Sequence, residues 1–283
     1  MNRFIPLLKT PDVAIGRFDH PSDHPHHDPA EEVATVYSVN RVERGRFSIQ
    51  VGRRRWTLGP GHIFLCYPGM AYRCYHYEPI PADSCVTVIY REENSSEGSA
   101  DLLTRVRELA RRRAVLEPTN RAAYVFRNIK TSAQGGKDDL AAVSSAGSLL
   151  DELLDDARNR YRLYAEHQLA WYAERIDAAR ALLHRNYVSE QRLSSLARAV
   201  GMSTFHFARV FSELAGTPPH RYLQRLRLDA AAQRLQQGAS VTDSCFTSGF
   251  RNLSHFIRVF TRQFGSSPGK YKTRPVHRLR AQV

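Results

Sequence analysis

From about Val33 to Tyr90, short runs rich in Val, Ile, Phe, Tyr and Trp alternate with Gly and Pro: ATVYSV, GRFSIQVG, RRWTLGPG, HIFLCYPG and SCVTVIY. Alternation broken by turn residues predicts a compact antiparallel β unit. The spacing of the turns suits a small barrel or jelly roll, whose interior is packed or holds a ligand, and it suits a sandwich equally. Tyr37, Phe47, Trp56, Phe64, Tyr67, Tyr72 and Tyr75 lie in or beside these runs, and alternation sends about half of them inward. Past the polar stretch REENSSEGSAD the period changes. Leu102, Val106 and Leu109 in LLTRVRELARRR recur at helical spacing. A second helical segment begins after Pro118. After SAQGGKDD a longer one carries Leu149, Leu150, Leu153 and Leu154 ahead of Tyr161 and Tyr164. This leucine stripe, flanked by DELLDDARNR, either packs on the β unit or forms a seam between two copies, with dimerisation expected between Asp139 and Tyr164.

The strongest pattern is an internal repeat. HFARVFSELAGTPPHRY at His206 to Tyr222 returns as HFIRVFTRQFGSSPGKY at His255 to Tyr271, displaced by 49 residues. His206 pairs with His255, Phe207 with Phe256, Arg209 with Arg258, Phe211 with Phe260, Gly216 with Gly265, Pro219 with Pro268 and Tyr222 with Tyr271. Each copy is preceded by a short helical segment in which a small residue stands four places before a Gly, Ala197 before Gly201 and Cys245 before Gly249. That spacing lets two helices cross closely at a turn whose Gly accepts positive φ, which is helix-turn-helix geometry. Phe207 and Phe211, like Phe256 and Phe260, share a face at i, i+4 and anchor the second helix of each unit, leaving the other face for DNA. Gly216 and Gly265 read as helix ends, with Pro near the first turn of the next element. Between the copies HRYLQRLRLDAAAQRLQQG predicts a rod of about 18 residues, roughly 27 Å at 1.5 Å per residue. Two such heads can reach successive major grooves about 34 Å apart, with DNA bending covering the shortfall.

Charge divides the chain in the same way. The 283 residues carry a formal net charge of +13, and from Glu174 onward 18 Lys and Arg face 6 Asp and Glu, against 23 and 22 upstream. A basic excess confined to one end is the footprint of nucleic-acid binding. The length predicts two domains. Cys66, Cys74, Cys85 and Cys245 form no CxxC pair, which argues against a zinc knuckle or redox motif and suits free thiols in a reducing cytoplasm. The apolar run in MNRFIPLLKTPDVAIG is too short for a signal peptide, and no stretch reaches the ~18 apolar residues of a membrane span, so a soluble, cytoplasmic protein without a membrane partner is expected.

With these residues in hand, the stretch from about Ile176 to Arg274 resembles the AraC/XylS family of bacterial transcription regulators, most specifically in GFRNLSHFIRVFTRQFGSSPGKYK. RWTLGPGHIFLCYPGMAY is similar to the central strands of the cupin-like barrel that often precedes the family's DNA-binding domain. The resemblance implies an α+β protein. Residues 1–98 are then a cupin-like β-barrel sensor, 99–172 a helical dimerisation and linker region, and 173–283 an all-α DNA-binding domain of two helix-turn-helix units joined by a long helix. It further implies a homodimer that binds promoter DNA, engages RNA polymerase, activates transcription and answers to a small-molecule effector. Carried over residue by residue, the groove-facing positions are Thr204, Phe205, Ala208 and Arg209 in the first unit and Asn252, Leu253, Ser254, His255 and Arg258 in the second. Ser203, Arg221 and Lys270 are phosphate candidates. Arg209 and Arg258 are the foremost base readers, since a bidentate Arg–guanine pair is worth about 1–3 kcal/mol of discrimination. A phosphate-facing role is the alternative for each. Asp243, Ser244 and Cys245 stand where the family usually has a more apolar turn, which implies looser packing of the second unit.

Other chemistries leave weaker traces. HPSDHPHHDPAEE places His20, His24, His26 and His27 ahead of Glu31, a spacing similar to part of a cupin metal site, but Tyr72 stands where a further His is needed. A polar lead-in to the barrel is the expected reading, with no metal, cofactor or catalytic residue. An enzyme tethered to DNA lacks an acid–base pair, and a repair-type alkyl acceptor lacks its cysteine motif. A purely architectural DNA binder remains the rival. If the β unit keeps a cavity, Tyr37, Trp56, Tyr67 and Tyr72 would line it for a small apolar or aromatic effector oriented by Arg73 or His76.

Overall fold

The computed structural model describes residues 3–19, 29–76, 83–91, 97–134, 146–147, 149–150, 153 and 162–272. They form two compact units that divide between Leu163 and Tyr164.

The first unit is built on β1 (Arg3–Lys9), β2 (Val13–Asp19), β3 (Glu32–Val33), β4 (Tyr37–Arg44), β5 (Phe47–Val51), β6 (Arg54–Leu58), β7 (Ile63–Cys66), β8 (Ala71–His76), β9 (Ser84–Tyr90) and β10 (Val115–Leu116). One sheet runs in the order β1-β2-β9-β4-β7-β10, the other β3-β8-β5-β6, and the paired strands are antiparallel. β5 and β6 form a hairpin in which Val51 opposes Arg54 across Gly52 and Arg53, the φ of +56° at Gly52 matching what a two-residue turn demands. The strands do not close on one another. The architecture is α+β as expected, but among the described residues it is a pair of separate sheets rather than a closed cupin-like barrel.

The longer sheet is buried on both faces, and the period of two sorts its side chains. Tyr37, Val39, Ile63, Leu65, Val86, Val88 and Tyr90 face one core, shared with α1 (Glu97–Arg112) and α2 (Asn120–Gln134) through Leu103, Val106, Phe126 and Ile129. Leu149, Leu150 and Leu153 join that core and are buried in it. Packing on the β unit is therefore what occupies these three leucines, while Leu154 and Tyr161 of the expected stripe lie outside the described residues. The intervening positions, Ser38, Asn40, Phe64, Cys66, Cys85 and Thr87, face the shorter sheet.

The second unit is helical throughout its regular elements: α3 (Glu166–Arg185), α4 (Leu193–Ala199), α5 (Thr204–Leu214), α6 (Pro219–Gln236), α7 (Val241–Thr247), α8 (Leu253–Phe264) and α9 (Pro268–Lys272). α4 with α5, and α7 with α8, are the two helix-turn-helix units. α6 is the expected connecting rod, 18 residues long.

Candidate nucleic-acid interface and effector cavity

The repeat holds at the level of single contacts. Gly201 and Gly249 take φ of +69° and +88°, and Ala197 and Cys245 are wholly buried at the two crossings. Met202 N–H donates to the Ala197 carbonyl (2.9 Å), as Phe250 N–H does to that of Cys245 (3.1 Å). Ser203 and Asn252 cap their helices, accepting from the amides of His206 (3.4 Å) and His255 (2.8 Å). Phe207, Phe211, Phe256 and Phe260 are fully buried, with ring separations of 5.5 Å in the first pair and 5.4 Å in the second. Tyr222 meets Phe211 edge-on at 5.5 Å, and Tyr271 meets Phe260 at 5.3 Å. Each second helix ends on a left-handed Gly, φ +68° at Gly216 and +66° at Gly265. Ser244 and Cys245 lie within α7. Both are buried, though the Ser244 and Ser248 hydroxyls have no hydrogen-bond partner among the described residues.

Anchoring one face of α5 and α8 leaves the other exposed. Thr204 is exposed, and Phe205 is 83% exposed, an unfavourable setting in water for a ring that has no packing role. Ala208 and Arg209 are half-buried, and Ser203 is exposed at the cap. On α8, Ser254, His255 and Arg258 are exposed together with Ile257, Thr261 and Arg262, whereas Leu253 is partly buried against the core of the second unit. Asn252 is exposed, with its carbonyl oxygen engaged in the cap. Arg221 is exposed at the start of α6 and Lys270 on α9.

The two arginines differ in setting. Arg209 pairs with Glu213 at 3.8 Å, and Glu213 in turn accepts a 2.6 Å hydrogen bond from the Tyr164 hydroxyl. The repeat places Arg262 where Glu213 stands. Arg258 accordingly has no carboxylate one turn on and lies 3.2 Å from His255 Nδ1 instead. His206 is not exposed like its counterpart, because its ring packs edge-on against Tyr172 of α3.

Arg251 is exposed and pairs with Glu190 at 3.0 Å. Its counterpart in the repeat is Met202, which is buried. The turn after α3 joins the halves of this unit. Arg227 of α6 donates to the carbonyls of Tyr187 (2.7 Å) and Ser189 (2.9 Å), and Gly249 lies so close that a Cβ there would meet the Val188 carbonyl oxygen at 2.7 Å.

The sequence of residues 196–274 matches the model of a helix-turn-helix domain family. Residues 196–274 are an AraC-type helix-turn-helix domain. Over 136 residues the chain is 32% identical to the HTH-type transcriptional activator RhaS of Escherichia coli O139:H28, covering 48% of either protein. The chain thus spans about half the length of the curated relatives it matches. Similar solved structures include an AraC-type DNA-binding protein of Chromobacterium violaceum (27% identity, 38% of this chain and 98% of that one, TM-score 0.35). Another is fatty-acid-bound wild-type ToxT of Vibrio cholerae (11% identity, 94% and 96%, TM-score 0.32).

The first unit contains a cavity of about 370 Å³ between its sheets. Tyr72 and His76 line it, as do Phe47 and Phe64. The other expected effector residues lie elsewhere. Tyr37 faces the helices with the Arg107 guanidinium 5.2 Å from its ring, Tyr67 lies under Arg107 and Arg111, Trp56 is on β6 packed against the cluster of Val42, Phe47, Ile49 and Leu58, and Arg73 pairs with Glu31 at 3.8 Å. Tyr75 points away, with Arg55 stacked 3.5 Å from its ring centre. Inside, the Thr87 hydroxyl donates to Asn40 Oδ1 (2.9 Å), and Asn40 Nδ2 donates to Ser38 Oγ (2.9 Å) and the Phe64 carbonyl (3.1 Å). Cys66, Cys74 and Cys85 are free thiols on the same walls. Burial pushes Cys66 and Cys85 up to about 12 and raises Cys74 and Tyr72 as well. His20, His24, His26 and His27 lie outside the described residues.

Proposed function

We propose that this protein is a sequence-specific transcription regulator whose paired reading heads engage adjacent major grooves of a promoter and whose cavity in the first unit receives a small-molecule effector. The observation that carries the reading is the duplicated head. Two helices, capped and anchored alike, each turn outward a face bearing Arg at the same position, on the strongly basic end of the chain. Arg258 reads a guanine edge, with Phe205 and Ile257 meeting thymine methyls, while Arg221 and Lys270 hold phosphates. The name of the RhaS relatives, transcriptional activators, supports activation; in this reading the protein engages RNA polymerase and works as a homodimer.

The direct test is to map the sites this protein occupies in its own cells and compare transcripts with and without it. Promoters bearing its sites should change output. Occupied sites with unaltered transcripts would favour the architectural alternative.

A further inference from the structure

Within the cavity three side chains stand in a chemical order that ligand packing alone does not require. Cys74 and His76 are two apart on β8 and so face the same side of the sheet. Cys74 Sγ lies 3.2 Å from His76 Nε2, and His76 Nδ1 lies 3.2 Å from Asp83 Oδ1. His76 and Asp83 are more than nine-tenths buried, and all three line the cavity. The 3.2 Å contact with Asp83 is not aligned as a hydrogen bond, but the charge of the carboxylate favours a proton on Nδ1, which leaves Nε2 as the acceptor for the Cys74 thiol. Phe47 stacks on the imidazole at 5.7 Å, and Gly45 presses on Asp83 so closely that a Cβ there would meet the Asp83 Cβ at 2.5 Å. A thiol, a base and a group that orients the base are the parts of an activated nucleophile.

We infer that Cys74 is a nucleophile activated by His76, positioned by Asp83, and that it captures a small α,β-unsaturated aldehyde or ketone covalently in this cavity. The Sγ–C bond forms at the β-carbon as the C=C π bond breaks. The thiol proton passes to His76 Nε2 and from there to the α-carbon, so the addition balances without oxidant or reductant. Burial favours the neutral thiol, so the resting protein does not label indiscriminately and the base acts only during attack. Phe47, Phe64 and Tyr72 favour an unsaturated carbonyl on an apolar or aromatic frame. Cys66 and Cys85 share the cavity, but among the described residues neither sulfur has an imidazole hydrogen-bonded to it as Cys74 does, which makes them internal controls. As an account of the effector, the inference rests on the regulator reading above.

The test treats the full chain with cinnamaldehyde, traps the product with borohydride, and follows intact mass, peptide maps and binding to a selected promoter fragment. One adduct, mapped to Cys74 and lost in Cys74→Ser, is expected. His76→Gln and Asp83→Asn should lower the maximal labelling rate at least about tenfold, within the range general-base assistance supplies, with Asp83→Asn acting on that rate far more than on the concentration for half-maximal labelling. Because both residues are buried, thermal unfolding and DNA binding of each variant are measured alongside. If one variant does not fold, the other decides. Equal labelling of Cys66, Cys74 and Cys85, or an unchanged rate in a folded variant, overturns the nucleophile. Adduct formation at Cys74 that depends on His76 but leaves DNA binding unaltered upholds the nucleophile and overturns the effector reading alone.

Discussion

Gly249 marks the point where the second helix-turn-helix unit touches the turn after α3, and its φ of +88° would be strained for any other residue even in open space. Gly249→Ala adds a methyl against the Val188 backbone as well. We expect a loss of about 2–4 kcal/mol, combining the left-handed penalty with the clash, read as a lower unfolding midpoint. Gly201→Ala, with the same handedness and nothing within 4 Å, should cost about 1–2 kcal/mol. His184 makes a pH prediction. Burial, then the charge of Arg180, lowers its imidazole below the ordinary 6.5. The unfolded chain therefore takes up the proton first, and this group's contribution weakens stability as pH falls through 6.5 towards the folded value. His184→Gln should flatten the unfolding midpoint against pH below 6.5. At this scale the buried anchors and exposed faces of α5 and α8 were legible because a repeat constrains each residue twice. Where the copies diverge the signal failed. Nothing in the repeat marked Arg251 as exposed, or His206 as packed against Tyr172.

The elements differ in how their faces are used. α5 and α8 each bury two Phe rings between their partners, so Phe211→Ala or Phe260→Ala should cost about 3–5 kcal/mol, measured by denaturant unfolding, and abolish specific DNA binding through loss of the fold. α8 presents His255, Arg258 and Arg262 where α5 presents a partly covered Arg209 paired to Glu213. The second head should therefore contribute more phosphate and base affinity, and the first should be more sensitive to shape through Phe205. Helix placement was readable from punctuation and period, because Gly ends and Ser or Asn caps act locally. The cavity was not. A sheet buried on both faces shows no polar side to its pattern, so alternation alone cannot tell which face carries helices. Tyr37 was expected inside and faces α1 and α2. Asn40, Thr87 and the thiols face the cavity, and their role depends on strands brought together from opposite ends of the unit.

Across the whole molecule charge and fold divide together, the basic helical unit following a nearly neutral unit of two sheets and helices. No helix among the described residues is long and apolar enough to cross a membrane. With affinity dominated by phosphate contacts, the logarithm of the binding constant should fall linearly with that of salt, and Lys270→Ala should reduce the slope by about 1 while weakening all sequences alike. Leu150 faces the core of the first unit, so Leu150→Ala should cost about 2–5 kcal/mol of that unit's stability. In sedimentation, a folded Leu150→Ala protein should keep the oligomeric state of the unaltered chain.

The central claim, two heads reading sequence, is tested most directly by selecting bound genomic fragments with the purified protein, with Arg209→Ala and with Arg258→Ala at one fixed salt concentration. The account predicts a motif of two segments about 10 base pairs apart, the segment under α8 relaxed by Arg258→Ala and the other by Arg209→Ala. Fragments sharing no motif, with both variants losing affinity uniformly, would contradict it and assign these arginines to the phosphates.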